Sequence, residues 1–233
     1  MKKLFNSYDI EISDEQIIKF NDYYELLIKW NEKINLTTIT DYADVIKKHF
    51  LDSVLLLKAF TKNLFDSKNI IDVGTGAGFP GVPLAIMLPN THFTLIDSLN
   101  KRIEFLKEVL QILKIQNITL IHGRAEELGS NPEYREKYDI CVSRAVAVLP
   151  LLLEYCSPFI KKEGILYLYK SVKVAEEIDC AKNALSILNC SIYNNILLAN
   201  ENDYQRYILE IRKDDCTPDK YPRKPGKAKK KPL

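Results

Sequence analysis

The sequence predicts an α/β protein: a mostly parallel sheet covered by helices, closed by an antiparallel hairpin and preceded by a helical extension. Three observations carry that expectation. Between residues 69 and 188, short β-rich runs alternate five times with helical stretches, the pattern of parallel strands joined by crossover helices. Two further β-rich runs, 191–198 and 204–212, are separated only by a short polar turn, too little chain for a parallel crossover. Ahead of the alternation, residues 1–62 carry helical periodicity.

In chain order, Ser13 followed by Gln16 fits a capping box, and Ile17, Phe20, Tyr24, Leu27 and Asn31 repeat at helical spacing, which predicts a helix over 14–33. The connector Asn35-Leu36-Thr37-Thr38 leads to Asp41, after which Val45, Phe50, Val54, Leu57 and Phe60 support a second helix reaching residue 60. Strands are expected at 69–73, 92–97, 117–122, 138–143 and 164–170, and helices at 81–88, 99–114, 147–156 and 172–188. The chain therefore divides into a helical cap (1–62), a sheet domain (63–215) and a Pro/Lys-rich tail (216–233).

Composition excludes several classes. With 46% hydrophobic and 27% charged residues the chain is neither a fibre nor a disordered segment. Its longest apolar run, Ala145 to Leu153, is broken by Pro150 and is far below the ~18 residues of a membrane span. Lys2 and Lys3 precede only Leu4 and Phe5 before polar residues return, so a signal-peptide core is missing and a cytoplasmic location is expected. Five cysteines without CxxC spacing and three scattered histidines predict reduced thiols and no metal site. The net charge of +2 hides a split: residues 220–233 hold seven basic residues and no acid, leaving 26 basic against 31 acidic residues in the body.

The chemistry centres on Asp72-Val73-Gly74-Thr75-Gly76-Ala77-Gly78-Phe79-Pro80-Gly81, at the handover from the first strand to its helix. Glycines there let the backbone turn sharply and approach a ligand. Gly76 to Gly81 satisfies the G-x-G-x-x-G string of dinucleotide folds, whereas Gly74, Gly76 and Gly78 satisfy the G-x-G-x-G loop of S-adenosylmethionine enzymes. Register decides for the second, because the glycine that leaves the strand is Gly74, and Phe79 and Pro80 would crowd a helix N-terminus meant for pyrophosphate. Asp97 ends the second strand, 19 residues beyond Gly78, where a carboxylate can accept hydrogen bonds from ribose hydroxyls. Gly123-Arg124-Ala125-Glu126-Glu127 follows the third strand and could meet an adenine edge. Ser143-Arg144 ends the fourth, where open α/β sheets hold ligand groups.

Together these residues resemble the bacterial small-subunit rRNA guanine-N7 methyltransferase family known as RsmG or GidB. The resemblance also runs through Trp30-Asn31 with Asn35-Leu36-Thr37, His49 with Asp52-Ser53, Lys101-Arg102 with Phe105-Leu106, and Tyr221-Pro222-Arg223-Lys224-Pro225-Gly226. It departs from the pattern at Thr75, where Ser is commoner, and at Ser171, where Gly is usual. The resemblance implies a class I S-adenosylmethionine-dependent methyltransferase, with a Rossmann-like seven-stranded sheet and a helical N-terminal extension. It implies 7-methylguanosine in 16S rRNA as product, 16S rRNA or the small ribosomal subunit as partner, and cofactor contacts at Gly74, Gly76, Phe79, Asp97, Ala125, Glu126 and Arg144; a monomer is expected.

Guanine N7 carries an available lone pair, so methyl transfer to it needs positioning and charge management more than a general base, and no catalytic residue is assigned. Cys141 and Cys156 lack a Pro-Cys context and are expected to pack as small hydrophobes. Asn131-Pro132-Glu133-Tyr134 resembles the loop of exocyclic-amine methyltransferases but precedes its strand, as a solvated turn would. His49 is expected to pack within the cap, and Lys101 and Arg102 to form a solvated helix turn. The tail is expected to stay unordered until it meets RNA phosphates, through Arg223, Lys224, Lys227 and Lys229. Two other readings remain open at this point: a nicotinamide-dependent oxidoreductase, and a noncatalytic ribosome-binding protein with a vestigial pocket.

Overall fold

The computed structural model describes residues 1–201 and 204–233. The extension comprises α1 (Lys2–Asn6), α2 (Asp14–Ile34), α3 (Tyr42–Val45), a π-helical stretch Ile46–Leu51, α4 (Asp52–Val54) and α5 (Leu56–Ala59). In the capping box of α2, Ser13 Oγ accepts from the Gln16 amide while the Gln16 side chain accepts from the Ser13 amide. The single helix expected up to residue 60 is thus broken. Its widened turn holds His49, and such π turns recur at functional sites because they re-aim side chains.

The sheet domain runs β1 (Asn69–Val73), α6 (Gly81–Met87), β2 (His92–Asp97), α7 (Asn100–Ile112), β3 (Ile118–His122), α8 (Ala125–Leu128), β4 (Tyr138–Arg144), α9 (Leu149–Cys156), β5 (Ile160–Lys170), α10 (Val174–Ile187), β6 (Cys190–Glu201) and β7 (Tyr204–Lys213), with α11 (Lys227–Lys230) in the tail. The seven strands are ordered β3-β2-β1-β4-β5-β7-β6. β1 to β5 pair in parallel, and β7 inserts antiparallel between β5 and β6. The closing hairpin is therefore present, while the polar turn expected at its tip includes residues 202–203, outside the described residues.

Central strands are apolar on both faces, as buried parallel strands must be. Ile70, Phe93, Leu95, Val142, Tyr167 and Ile208 face a cluster with the extension, α6 and α7. Ile71, Val73, Ile96, Cys141, Leu166, Leu168 and Leu209 face a second cluster with α9 and α10. Phe20, Phe50 and Tyr23 tie the extension to the first cluster, Tyr23 and Phe50 stacking at 5.2 Å, so the cap shares its core with the sheet. The strand order reverses between β1 and β4, which opens a crevice at their carboxyl ends.

The tail departs from expectation. It is folded onto α9, with Tyr221 and Ala228 buried, and Arg223 paired to a Glu154 carboxylate that is fully buried. An unpaired buried carboxylate is costly, so Glu154 supplies the anchor that composition alone does not reveal.

Candidate active site

The glycine loop turns away from β1 on three residues with positive φ, Gly74 (73°), Gly76 (62°) and Gly78 (94°). The Gly74 and Thr75 amides donate to Ile96 O, pinning the loop to the end of β2. Asp72 stiffens it from below, its Oδ2 accepting from Thr75 Oγ1 at 2.7 Å and from the Gly81 amide at 2.9 Å. The other oxygen, Asp72 Oδ1, has no hydrogen-bond partner among the described residues, and burial pushes the carboxyl up to about 7 against those two bonds. From the extension, the Tyr23 hydroxyl donates to Ala77 O.

Asp97 is 3% exposed and faces the loop. Its Oδ2 accepts from the Gly76 amide at 2.9 Å and from Arg102 at 3.2 Å, and its Oδ1 accepts from the Leu99 amide at 2.9 Å. A carboxylate offers about four lone-pair positions, so Asp97 keeps acceptor capacity toward the crevice. A Cβ on Gly76 would meet nothing within 4 Å, so the loop borders open space there, whereas a Cβ on Gly74 would strike Val146 at 2.7 Å.

These groups line one cavity of about 520 Å³, within the usual size of small-molecule sites. All seven residues singled out for the cofactor, Gly74, Gly76, Phe79, Asp97, Ala125, Glu126 and Arg144, lie in its wall. The structure adds His49, Arg102, Tyr155 and Lys229, which the sequence alone does not bring to this site. Arg102, only partly exposed, is brought in by its ion pair with Asp97. His49 does bond within the extension, to Thr37 Oγ1 at 2.8 Å, but its ring also stacks on Phe79 at 4.7 Å and 19°. Burial, helped by the Arg144 guanidinium, lowers His49 to about 4, so it is neutral at pH 7.

The Arg144 guanidinium lies 5.0 Å from the Phe79 ring centre and beside His49, its Nη2 3.4 Å from His49 Nδ1. Its Nη1 donates to Asp52 Oδ2 at 2.7 Å and to Lys48 O at 3.2 Å. Asp52, 1% exposed, also accepts from Arg206 Nε at 2.5 Å and from the Tyr204 hydroxyl at 2.8 Å. One buried carboxylate thus ties the extension to the end of β4 and to the terminal hairpin. Beyond this junction lies a second cavity of about 340 Å³, sharing His49, Arg144 and Ala145 with the first and lined also by Lys170, Ser171, Tyr169 and Arg206. Lys170 is paired with Glu177 at 2.7 Å.

The buried Cys141 thiol is raised well above its usual value by burial, which keeps it in the inert thiol form. Cys141 and Cys156 both lie in the second apolar cluster. Asn131 to Tyr134 form a turn whose Asn131 Oδ1 accepts from the Glu133 amide, away from both cavities. Of the four tail residues expected to meet RNA, Arg223 is taken by Glu154, Lys229 borders the first cavity, and Lys224 and Lys227 are exposed.

A family model described as rRNA small subunit methyltransferase G matches residues 16–205. The chain is 45% identical over 234 residues to a ribosomal RNA small subunit methyltransferase G from Alkaliphilus oremlandii, covering all of this chain and 97% of that protein. It is 47% identical to the protein of the same name from Acetivibrio thermocellus, covering 98% and 93% of the two chains. Among solved structures, a SAM-dependent methyltransferase from Aquifex aeolicus superposes with a TM-score of 0.56 at 18% identity, over 74% of this chain and 94% of that one. This likeness concerns the fold.

Proposed function

The chain belongs to the rRNA small subunit methyltransferase G family, and from that premise we propose that it transfers a methyl group from S-adenosylmethionine to N7 of a guanine in 16S rRNA. It is a methyltransferase acting on small-subunit ribosomal RNA. The observation that carries the reading is the convergence of the glycine loop, Asp97 and the Ala125–Glu126 segment on one cavity, whose wall shares Arg144, His49 and Ala145 with a second. The residues fit the cofactor: Gly76 leaves space where a side chain would intrude, and Asp97 retains acceptor capacity for a sugar hydroxyl.

When bound, S-adenosylmethionine supplies an electrophilic methyl on a sulfonium. Guanine N7 has a lone pair and no proton, so the chain's residues have only to hold, orient and desolvate the reactants. Gly74 and Gly76 admit the cofactor, Asp97 accepts from its sugar, and Ala125 and Glu126 meet its base. His49, being neutral, adds no positive charge beside the sulfonium. Arg144, held by Asp52, forms the partition between the cavities, and the second cavity receives the guanine.

The same reading makes the enzyme a cytoplasmic monomer that needs no metal, since an uncharged nucleophile already carrying its lone pair requires no Lewis acid. Among the described residues no helix is long and apolar enough to cross a membrane. The exposed Lys224, Lys227 and Lys230 are among the tail cations available to RNA phosphates. The test incubates the protein and radiolabelled S-adenosylmethionine with undermethylated 30S particles, 50S particles and tRNA. Label in the 30S rRNA, at N7 of guanine on nuclease digestion, is expected; label confined to tRNA overturns the reading.

A further inference from the structure

We infer that the C-terminal segment 221–230 is a built part of the cofactor site and that Lys229 closes its purine end. The inference rests on reading the first cavity as the S-adenosylmethionine site.

The segment is fastened by buried polar groups. Arg223 Nε donates to both carboxylate oxygens of Glu154 at 2.8 and 3.1 Å, its Nη2 to Oε2 at 2.5 Å, and its backbone amide to Oε1 at 2.9 Å. Glu154 is fully buried on α9, so this bond set satisfies a charge that would otherwise stand in an apolar core. Arg135 holds the approach, donating to Gly129 O, Thr217 O and Tyr221 O at 3.1, 2.6 and 2.9 Å.

From that anchor the chain turns back toward the cavity. Gly226 takes φ 80°, a left-handed value suited to glycine, and its amide points at Glu126 Oε1 at 3.4 Å. α11 then buries Ala228 and sets Lys229 in the cavity wall beside Ala125, Glu126 and Tyr155. This wall and the glycine loop flank Asp97 from opposite sides. With the sugar at Asp97 and the methionine end toward Arg144, the group that lies against Lys229 is the purine. The methylene stem of a lysine can cover an apolar ring face while its ammonium stays in water. A cation near an aromatic face is also attracted by its quadrupole. The tail thus works through the small-molecule site first, and only its outward lysines are left for RNA.

The test is calorimetric titration of the full chain with S-adenosylhomocysteine, with Tm recorded for each variant. Lys229→Ala is expected to raise Kd about tenfold at unchanged Tm. Lys229→Met, which keeps the stem, should return Kd to within about threefold of the starting value. Lys230→Ala, one residue away and outside the wall, should leave it unchanged. Arg223→Met should weaken binding more than Lys229→Ala because it releases the whole segment; should that variant unfold, the Lys229 pair decides alone. Equal Kd values for Lys229→Ala, Lys230→Ala and the parent chain overturn the inference while leaving the cofactor reading intact. No binding by the parent chain overturns both.

Discussion

The Asp52 carboxylate holds the Arg144 guanidinium at 2.7 Å, joining residues 92 positions apart in the chain. Asp52 is also the acceptor for Arg206 and Tyr204, so a single acid balances two arginines at the partition between the cavities. Removing it strands two cations in a mostly buried junction. Asp52→Ala is expected to cost about 3–5 kcal/mol in urea denaturation. Asp52→Asn, which keeps an acceptor oxygen but not the charge, should cost less. Both should lower kcat more than they raise the KM for S-adenosylmethionine, because Asp52 lines the second cavity and not the first. A loss confined to cofactor KM would refute that division.

The glycine loop gives a paired prediction. Gly74→Val places a β-branched residue at φ 73° and drives its Cβ toward Val146, so cofactor binding should vanish in calorimetry. Gly76→Ala meets open space and bears only the left-handed backbone penalty of about 1–2 kcal/mol. It should weaken stability modestly and bind cofactor detectably. Equal binding by the two variants would mean that space beside Val146 is not what Gly74 provides.

Two buried groups give opposed pH effects. Asp72 is raised from 3.8 to about 7, so its contribution is complete below pH 3.8 and is lost as pH rises to 7. His49 is lowered from 6.5 to about 4, so the fold loses stability as pH falls from 6.5 to 4. The slopes cancel in the parent chain and separate in variants. Relative to the parent, Asp72→Asn should gain stability between pH 4.5 and 7.5, and His49→Gln should lose it over the same rise. Urea midpoints at the two pH values check this, and pH-independent differences would remove both assignments.

Lys224, Lys227 and Lys230 are exposed cations of the docked segment that do not line the first cavity. Replacing all three with Ala should weaken binding to 30S particles and flatten the log Kd against log salt slope by about 2–3, at roughly 0.7–0.9 for each phosphate no longer neutralised. Cofactor affinity should not change. A slope equal to that of the parent chain would exclude these lysines from the RNA interface.

Thiol chemistry supplies a control. Cys180 and Cys216 are exposed, while Cys141, Cys156 and Cys190 are buried. Iodoacetamide should modify the two exposed thiols in the native protein and leave methyl transfer within about twofold of the untreated rate, since neither lines a cavity. Inactivation matched to Cys180 or Cys216 alkylation would place a thiol in the reaction.

What the sequence determined by itself is what local patterning encodes. Alternation of β-rich and helical runs gave the five parallel strands, the short turn gave the antiparallel hairpin, and the glycine spacing with Asp97 pointed to residues that line one cavity, because each depends on local patterning of the chain. Only the tertiary structure decided the rest. Asp52 meets Arg144 and Arg206, Arg102 turns in toward Asp97, and Arg223 reaches Glu154 across 69 positions. One signal was available: Glu154 stands alone in the apolar run Leu149–Cys156, and a lone acid there requires a partner. The identity of that partner was not legible, because a buried charge selects whichever cation the folded topology brings within hydrogen-bond reach, and periodicity carries no record of such distances. A tail that composition marks as mobile is therefore ordered by one buried carboxylate.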